Sequence, residues 1–247
     1  MSIAAELIRF GTPLANGLTV KEIRLGLGYS CAELSDNSMG IAWTPDKNPQ
    51  GTCTHFKTAG TIQGSDALTC LEWLESDNHL ARAIGLAVFN ALNSKVDRSL
   101  SDEEAISLLG IKPEDHVVMV GYFAPVLKRI RETGCSLDIV ELNTFKPNVL
   151  NAQQGKEALA RCDVAIITAT TIINNTCEEV LASLKKNRAA LMLGPSTPVC
   201  PEIFKDTRIS QLSGAFVTEP KPLKVILSEG GGTKLLKKHL RFASAVV

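Results

Sequence analysis

The chain carries no surplus of charge. Lys and Arg total 26 and Asp and Glu total 26, so the formal net charge is zero. A protein that wraps nucleic acid needs a basic surplus to neutralise phosphates, and that role is excluded as a whole-chain property. No run of about 18 apolar residues occurs, so no membrane-spanning helix is expected. The stretch Met1-Ser2-Ile3-Ala4-Ala5-Glu6-Leu7-Ile8-Arg9-Phe10 lacks a basic leader and a long apolar segment. It reads as an amphipathic helix, which makes the cytoplasm the expected compartment. The seven cysteines, at 31, 53, 70, 135, 162, 177 and 200, are odd in number and contain no C-x-x-C pair, so a disulfide framework is not expected. Histidine occurs only four times, at 55, 79, 116 and 239. Neither H-E-x-x-H nor G-x-S-x-G is present, which removes the zincin and nucleophile-elbow chemistries.

What is present is an ordinary apolar fraction, 45% of 247 residues, enough for a substantial core. The first part reads as α+β. After the N-terminal helix, strand-like runs at Val20 to Ser35 and Ser38 to Trp43 are punctuated by Gly26, Gly28 and Asp36-Asn37-Ser38, which predicts a small antiparallel meander. A long loop, Thr44 to Gly64, precedes helices predicted over Asp66 to Glu75 and Asn78 to Asn93. Leu80, Ile84, Ala87, Val88 and Ala91 share one face of the second helix. The polar stretch Asn93 to Ser99 is the expected linker, giving units 1–98 and 99–247. Ser101, with Glu104 three residues on, suggests the capping box of the next helix.

From His116 onward the pattern changes. Apolar runs at Val117–Val120, Leu137–Leu142, Val164–Thr168, Ala190–Leu193 and Gly214–Val217 alternate with helical segments at Pro125–Glu132, Gln153–Arg161, Thr176–Lys186 and a turn at Pro201–Phe204. Continuous apolar runs mean strands buried on both faces, hence a Rossmann-like three-layer domain built on a parallel sheet.

Such sheets bind ligands outside the carboxyl ends of their strands, and five places qualify. The first is Gly121-Tyr122, where a glycine allows close approach, although the three-glycine dinucleotide fingerprint is missing. The second is Glu141, which fits either a ribose-binding acid or a solvated strand end. The third runs from Thr168 to Thr176 and includes Thr170, Thr171, Asn174 and Asn175; Asn175 or Thr176 could cap the following helix, and six polar residues exceed what capping needs. The fourth is Gly194 with Ser196 and Thr197 between two prolines. The fifth is Gly230-Gly231-Gly232, read as an anion nest or as a hinge. Cys53-x-His55 offers two soft ligands without a third. No catalytic residue, metal ligand set or cofactor can be assigned.

Val164 to Thr176, followed by Leu193-Gly194-Pro195-Ser196-Thr197-Pro198, resembles the signature of the putative heavy-metal chelation family. The resemblance implies an enolase N-terminal-like α+β domain ahead of a Rossmann-like domain, with a site in the cleft between them. It implies a small-molecule or metal ligand, and no nucleic acid or membrane; a homo-oligomer is allowed. The family usually has glycine where this chain has Asn175, a position that Asn tolerates if it is left-handed. The alternative from the residues themselves is an enzyme acting on a small anionic or nucleotide-like molecule, of the S-adenosylmethionine or phosphate type, at the sheet edge. A non-catalytic interaction module is a third reading.

The neutral total hides a split. Between Lys221 and Arg241 lie six basic residues and one acid, a local charge of +5 balanced by −5 over the rest. Lys234, Lys237, Lys238 and Arg241 suggest one face of a basic helix that includes His239, and the +5 charge draws any anion preference to the adjacent glycines.

Overall fold

The structure is a computed structural model, and it describes residues 2–45, 56–141 and 148–247. Helix α1 (Ile3–Ala15) opens behind Ser2, whose Oγ accepts from the Ala5 amide at 3.1 Å. The meander follows as β1 (Val20–Leu25), β2 (Tyr29–Leu34) and β3 (Met39–Trp43), paired antiparallel in that order. Helix α2 (Ala67–Glu72) continues into a 3-10 turn at Trp73–Glu75, and α3 (His79–Asn93) is capped by the Asn78 side chain.

The second unit begins with the short helix α4 (Ala105–Leu108). It continues as β4 (His116–Val120), α5 (Ala124–Glu132), β5 (Ser136–Val140), α6 (Ala152–Arg161), β6 (Val164–Thr168), α7 (Thr170–Ile173), α8 (Cys177–Ser183), β7 (Ala189–Leu193), α9 (Pro201–Phe204), β8 (Gln211–Val217), α10 (Pro220–Ser228), α11 (Thr233–Leu236) and β9 (Leu240–Val246). The sheet order is β5-β4-β6-β7-β8-β9. Five strands run parallel, and β9 closes the edge antiparallel to β8, pairing Leu240 with Val217 and Val246 with Gln211. Ranked along the chain the order is 2-1-3-4-5-6, so the chain reverses direction across the sheet between β4 and β6.

The strands show why their sequences lack polar alternation. Val118, Val120, Ala165, Ile167, Ala190 and Met192 face one core; Val117, Met119, Val164, Ile166 and Leu191 face another, formed with α4 and α5. Both faces are covered, so both phases of the two-residue period are apolar. The first core runs without a break into the N-terminal unit through Leu7, Leu34, Leu71, Ile84 and Phe89. Every residue of α3 from Ala81 to Asn93 is buried. Its approach to β3 is so close that a Cβ at Gly40 would lie 2.2 Å from Ala87 O.

The meander is likewise buried twice. Ala32, Leu34 and Ala42 face α3, while Cys31, Met39 and Ile41 face Leu223, Leu227, Leu236 and Leu240 from the C-terminal segment.

Two local expectations change. Ser101 is not a helix cap. It exchanges backbone hydrogen bonds with Ser244 on β9, and Glu104 caps α4 by accepting from Ser107. The basic helix around Lys234 to Arg241 is also replaced. It stops at Leu236, a 3-10 turn covers Lys237–His239, and Arg241 already belongs to β9. Leu236 and Leu240 are pinned in the core under the meander, and the β8 ladder claims everything after them.

Candidate functional site

At the crossover between β4 and β6 the space is filled by the protein itself. Gly121 has φ +91° and Gly194 φ +121°, conformations that favour glycine. A Cβ on Gly121 would lie 2.9 Å from the Thr168 methyl, and one on Gly194 would lie 3.4 Å from the Phe123 ring, which also borders Gly121. The close approach allowed by these glycines is thus taken by Thr168 and Phe123. Tyr122 lies instead on a groove of about 450 Å³ along the outside of α5, shared with Leu127, Lys128 and Arg131. Glu141 directly follows β5 and donates its amide to Leu150 O.

The threonine segment turns out to be the short helix α7 with its flanks. Thr171 is buried and donates its hydroxyl to Thr168 O at 2.8 Å. The hydroxyls of Thr168 and Thr170 meet at 3.0 Å. The amides of Asn174 and Thr176 donate to Thr170 O and Thr171 O. Asn175 has φ +58°, the left-handed conformation that Asn accepts. Ser196 is buried, and its Oγ accepts from the Trp43 amide at 2.8 Å. Thr197 is buried beside it, its hydroxyl without a partner among the described residues.

The triple glycine has a local task. Gly230, at φ +81°, donates to Leu227 O at 3.1 Å, and Gly231 donates to Ile226 O at 2.8 Å. That pair of bonds is a Schellman cap on α10, and Gly232 starts α11. The amides of Gly230 and Gly231 are therefore spent on carbonyls. Two of the six nearby basic residues are engaged as well: Lys224 bridges Glu22 and Glu33 at 2.6 Å each, and Arg241 pairs with Asp102.

Both units line a cavity elsewhere. A cavity of about 280 Å³ is lined by Ser2 and Ala4 of the α1 start, by Glu75, Ser76, Asp77, His79 and Arg82 around the start of α3, and by Asn175. Of the residues singled out in the sequence for ligand binding, only Asn175 lines it. Arg82 is 5% exposed and donates from Nε and Nη2 to Ile172 O, at 3.1 and 2.8 Å. Burial pulls its pKa down, while Glu178, Glu75 and Asp77 oppose that shift and favour the charged form. Glu178 is itself committed, accepting from the Ile3 amide at 2.8 Å across the two units. The signal for Arg82 was present in the sequence as one cation interrupting an apolar helix, preceded by the alternation Glu75-x-Asp77-x-His79.

A directly held soft metal does not fit these residues. Among the described residues no three His, Cys, Asp or Glu side chains are grouped to hold an ion. Burial pushes the thiols of Cys31, Cys177 and Cys200 up to about 12 and that of Cys162 up to about 11, so they stay protonated near neutral pH. Cys53 and His55 lie outside the described residues.

Among the described residues no helix is long and apolar enough to cross a membrane. Residues 104–246 match the DUF364 family and residues 9–93 the DUF4213 family, both described as putative heavy-metal chelation. An uncharacterized protein of Methanocaldococcus jannaschii is 21% identical over 227 residues, covering 88% of this chain and 86% of that protein. The crystal structure of a DUF364 protein of unknown function from Pyrococcus horikoshii superposes with a TM-score of 0.86 at 20% identity, covering both chains completely. One from Desulfitobacterium hafniense gives 0.78 at 21% identity, covering 98% of this chain and 99% of that one. At such identities the likeness establishes the fold. With the family match spanning most of its length, the chain belongs to the putative heavy-metal chelation family.

Proposed function

We propose that the protein binds a small polar chelator in the cavity between its two units, with any metal held by the chelator's own donor atoms. The observation that carries this reading is the convergence of Arg82, Glu75, Asp77, His79 and Asn175 on one cavity of about 280 Å³. Charged groups of both signs around one cavity suit a ligand that is itself charged and oriented. The family description supports a link to heavy metals, and the lack of a three-ligand cluster among the described residues shifts the coordinating atoms to the ligand.

Calorimetric titration of the reduced chain with nickel or zinc alone, with free chelators and with their metal complexes tests it. Binding of a chelator, free or loaded, with weaker or no binding of the bare metal is the expected result. Tight stoichiometric binding of bare metal with no response to any chelator would overturn it and would direct attention to Cys53 and His55.

A further inference from the structure

Resting on that reading, we infer that the cavity selects the metal-free, zwitterionic form of an aminocarboxylate, with a carboxylate on Arg82 and an ammonium between Glu75 and Asp77. Arg82 offers one nitrogen, Nη1, that bonds nothing among the described residues; its Nε and Nη2 both bond Ile172 O. This side chain is almost wholly buried, is held in place by Ile172 O and lines the cavity, so an incoming carboxylate would meet a positioned donor and form a charge-assisted bond. The opposite sign is supplied nearby. Glu75 and Asp77 line the same cavity, and neither carboxylate makes a hydrogen bond or ion pair among the described residues. Two carboxylates share the lining with one guanidinium and the His79 imidazole, and this acidic side disfavours a pure polyanion and favours a ligand that brings a cation.

Metal loading removes one handle and weakens the other. To coordinate, an amine must give up its proton, and the carboxylate oxygen turns to the metal. The loaded complex then offers no ammonium to Glu75 and Asp77, and only outer carboxylate oxygens to Arg82.

The test is calorimetric titration of the full chain with iminodiacetate, its nickel complex, succinate (two carboxylates, no amine) and putrescine (two amines, no carboxylate). Iminodiacetate is expected to bind at least about tenfold more tightly than each of the others, the scale of one charge-assisted hydrogen bond. Asp77→Asn is expected to weaken iminodiacetate by a similar factor and to narrow its advantage over succinate. Because Asp77 is exposed, this variant keeps the test independent of Arg82→Lys, whose loss of one donor could disturb the bond to Ile172. Equal or tighter binding of the nickel complex, or an unchanged Asp77→Asn, would overturn the inference while leaving a chelator site in place. Failure of every probe, free and loaded, would overturn the chelator reading with it.

Discussion

The hydroxyl of Ser196 could serve a ligand or the fold, and the Trp43 amide 2.8 Å away decides its use. Ser196→Ala would strand a buried N–H at the junction of the two units. The expected loss is about 1–3 kcal/mol in a denaturant titration; a loss near zero would return the hydroxyl to the list of candidate ligand contacts. Asn175 poses a conformational question. At φ +58°, Asn175→Gly is expected to be nearly neutral, whereas Asn175→Val should cost about 1–2 kcal/mol. Equal stability of the two variants would show that the turn before α8 relaxes. Asn175 was legible from the sequence as a residue suited to a left-handed site. Arg82 was harder to place, because a cation in a helix ordinarily marks the solvent side. Here the surrounding turns are buried as well, and the charge meets a carbonyl of α7.

Elements explain the glycines and the carboxylates at strand ends. Gly40 lets β3 lie against the backbone of α3, with Ala87 O and Ala91 N at 2.2 and 2.3 Å from where a Cβ would sit. Backbone atoms cannot swing aside as a side-chain tip can. Gly40→Ala is therefore expected to destabilise by at least about 1–3 kcal/mol, measured by thermal or denaturant unfolding. At the opposite end of the second sheet, Arg188 ties Asp115 to the carbonyls of Leu109 and Gly110. The Arg188 hydrogen bond holds the Asp115 carboxyl below its ordinary value of 3.8. The unfolded chain therefore takes up this proton at higher pH than the folded one. The stabilisation is complete above the ordinary value and is lost as the pH falls through the lower, folded value. Urea midpoints taken from neutral pH down to about pH 3 should fall for the native chain, and less steeply for Asp115→Asn. Parallel curves would remove Asp115 from the account.

Across the whole molecule the two units share one core and several polar ties. Asn90 donates to Ile41 O and Ser196 O, Asn93 to Val199 O, and α10 covers the far side of the meander. Both tryptophans, Trp43 and Trp73, belong to the N-terminal unit, so fluorescence reports that unit while far-ultraviolet dichroism reports the whole chain. Their unfolding curves are expected to coincide. Two separated transitions would show that the units fold independently in spite of the common core.

The strands of the large sheet were readable from the sequence, because burial on both faces leaves an apolar run that no helix of that length would need. The meander and the helix starts at Asp66 and Asn78, which the structure shows to be the caps of α2 and α3, were readable for a local reason: turn residues and helical periodicity are written in a few neighbouring residues. Tertiary structure decided the rest. Residues 234–241 carry a basic pattern that suits a helix, yet pairing with β8 draws Leu240 and Arg241 into a strand, since ladder partners are fixed by distant chain. The polar loops at the strand ends looked like a binding surface, and the fold used many of their donors to cap helices and join the two units. The cavity around Arg82 arises only where the start of α3 meets α7 and the start of α1, a juxtaposition that no local pattern encodes.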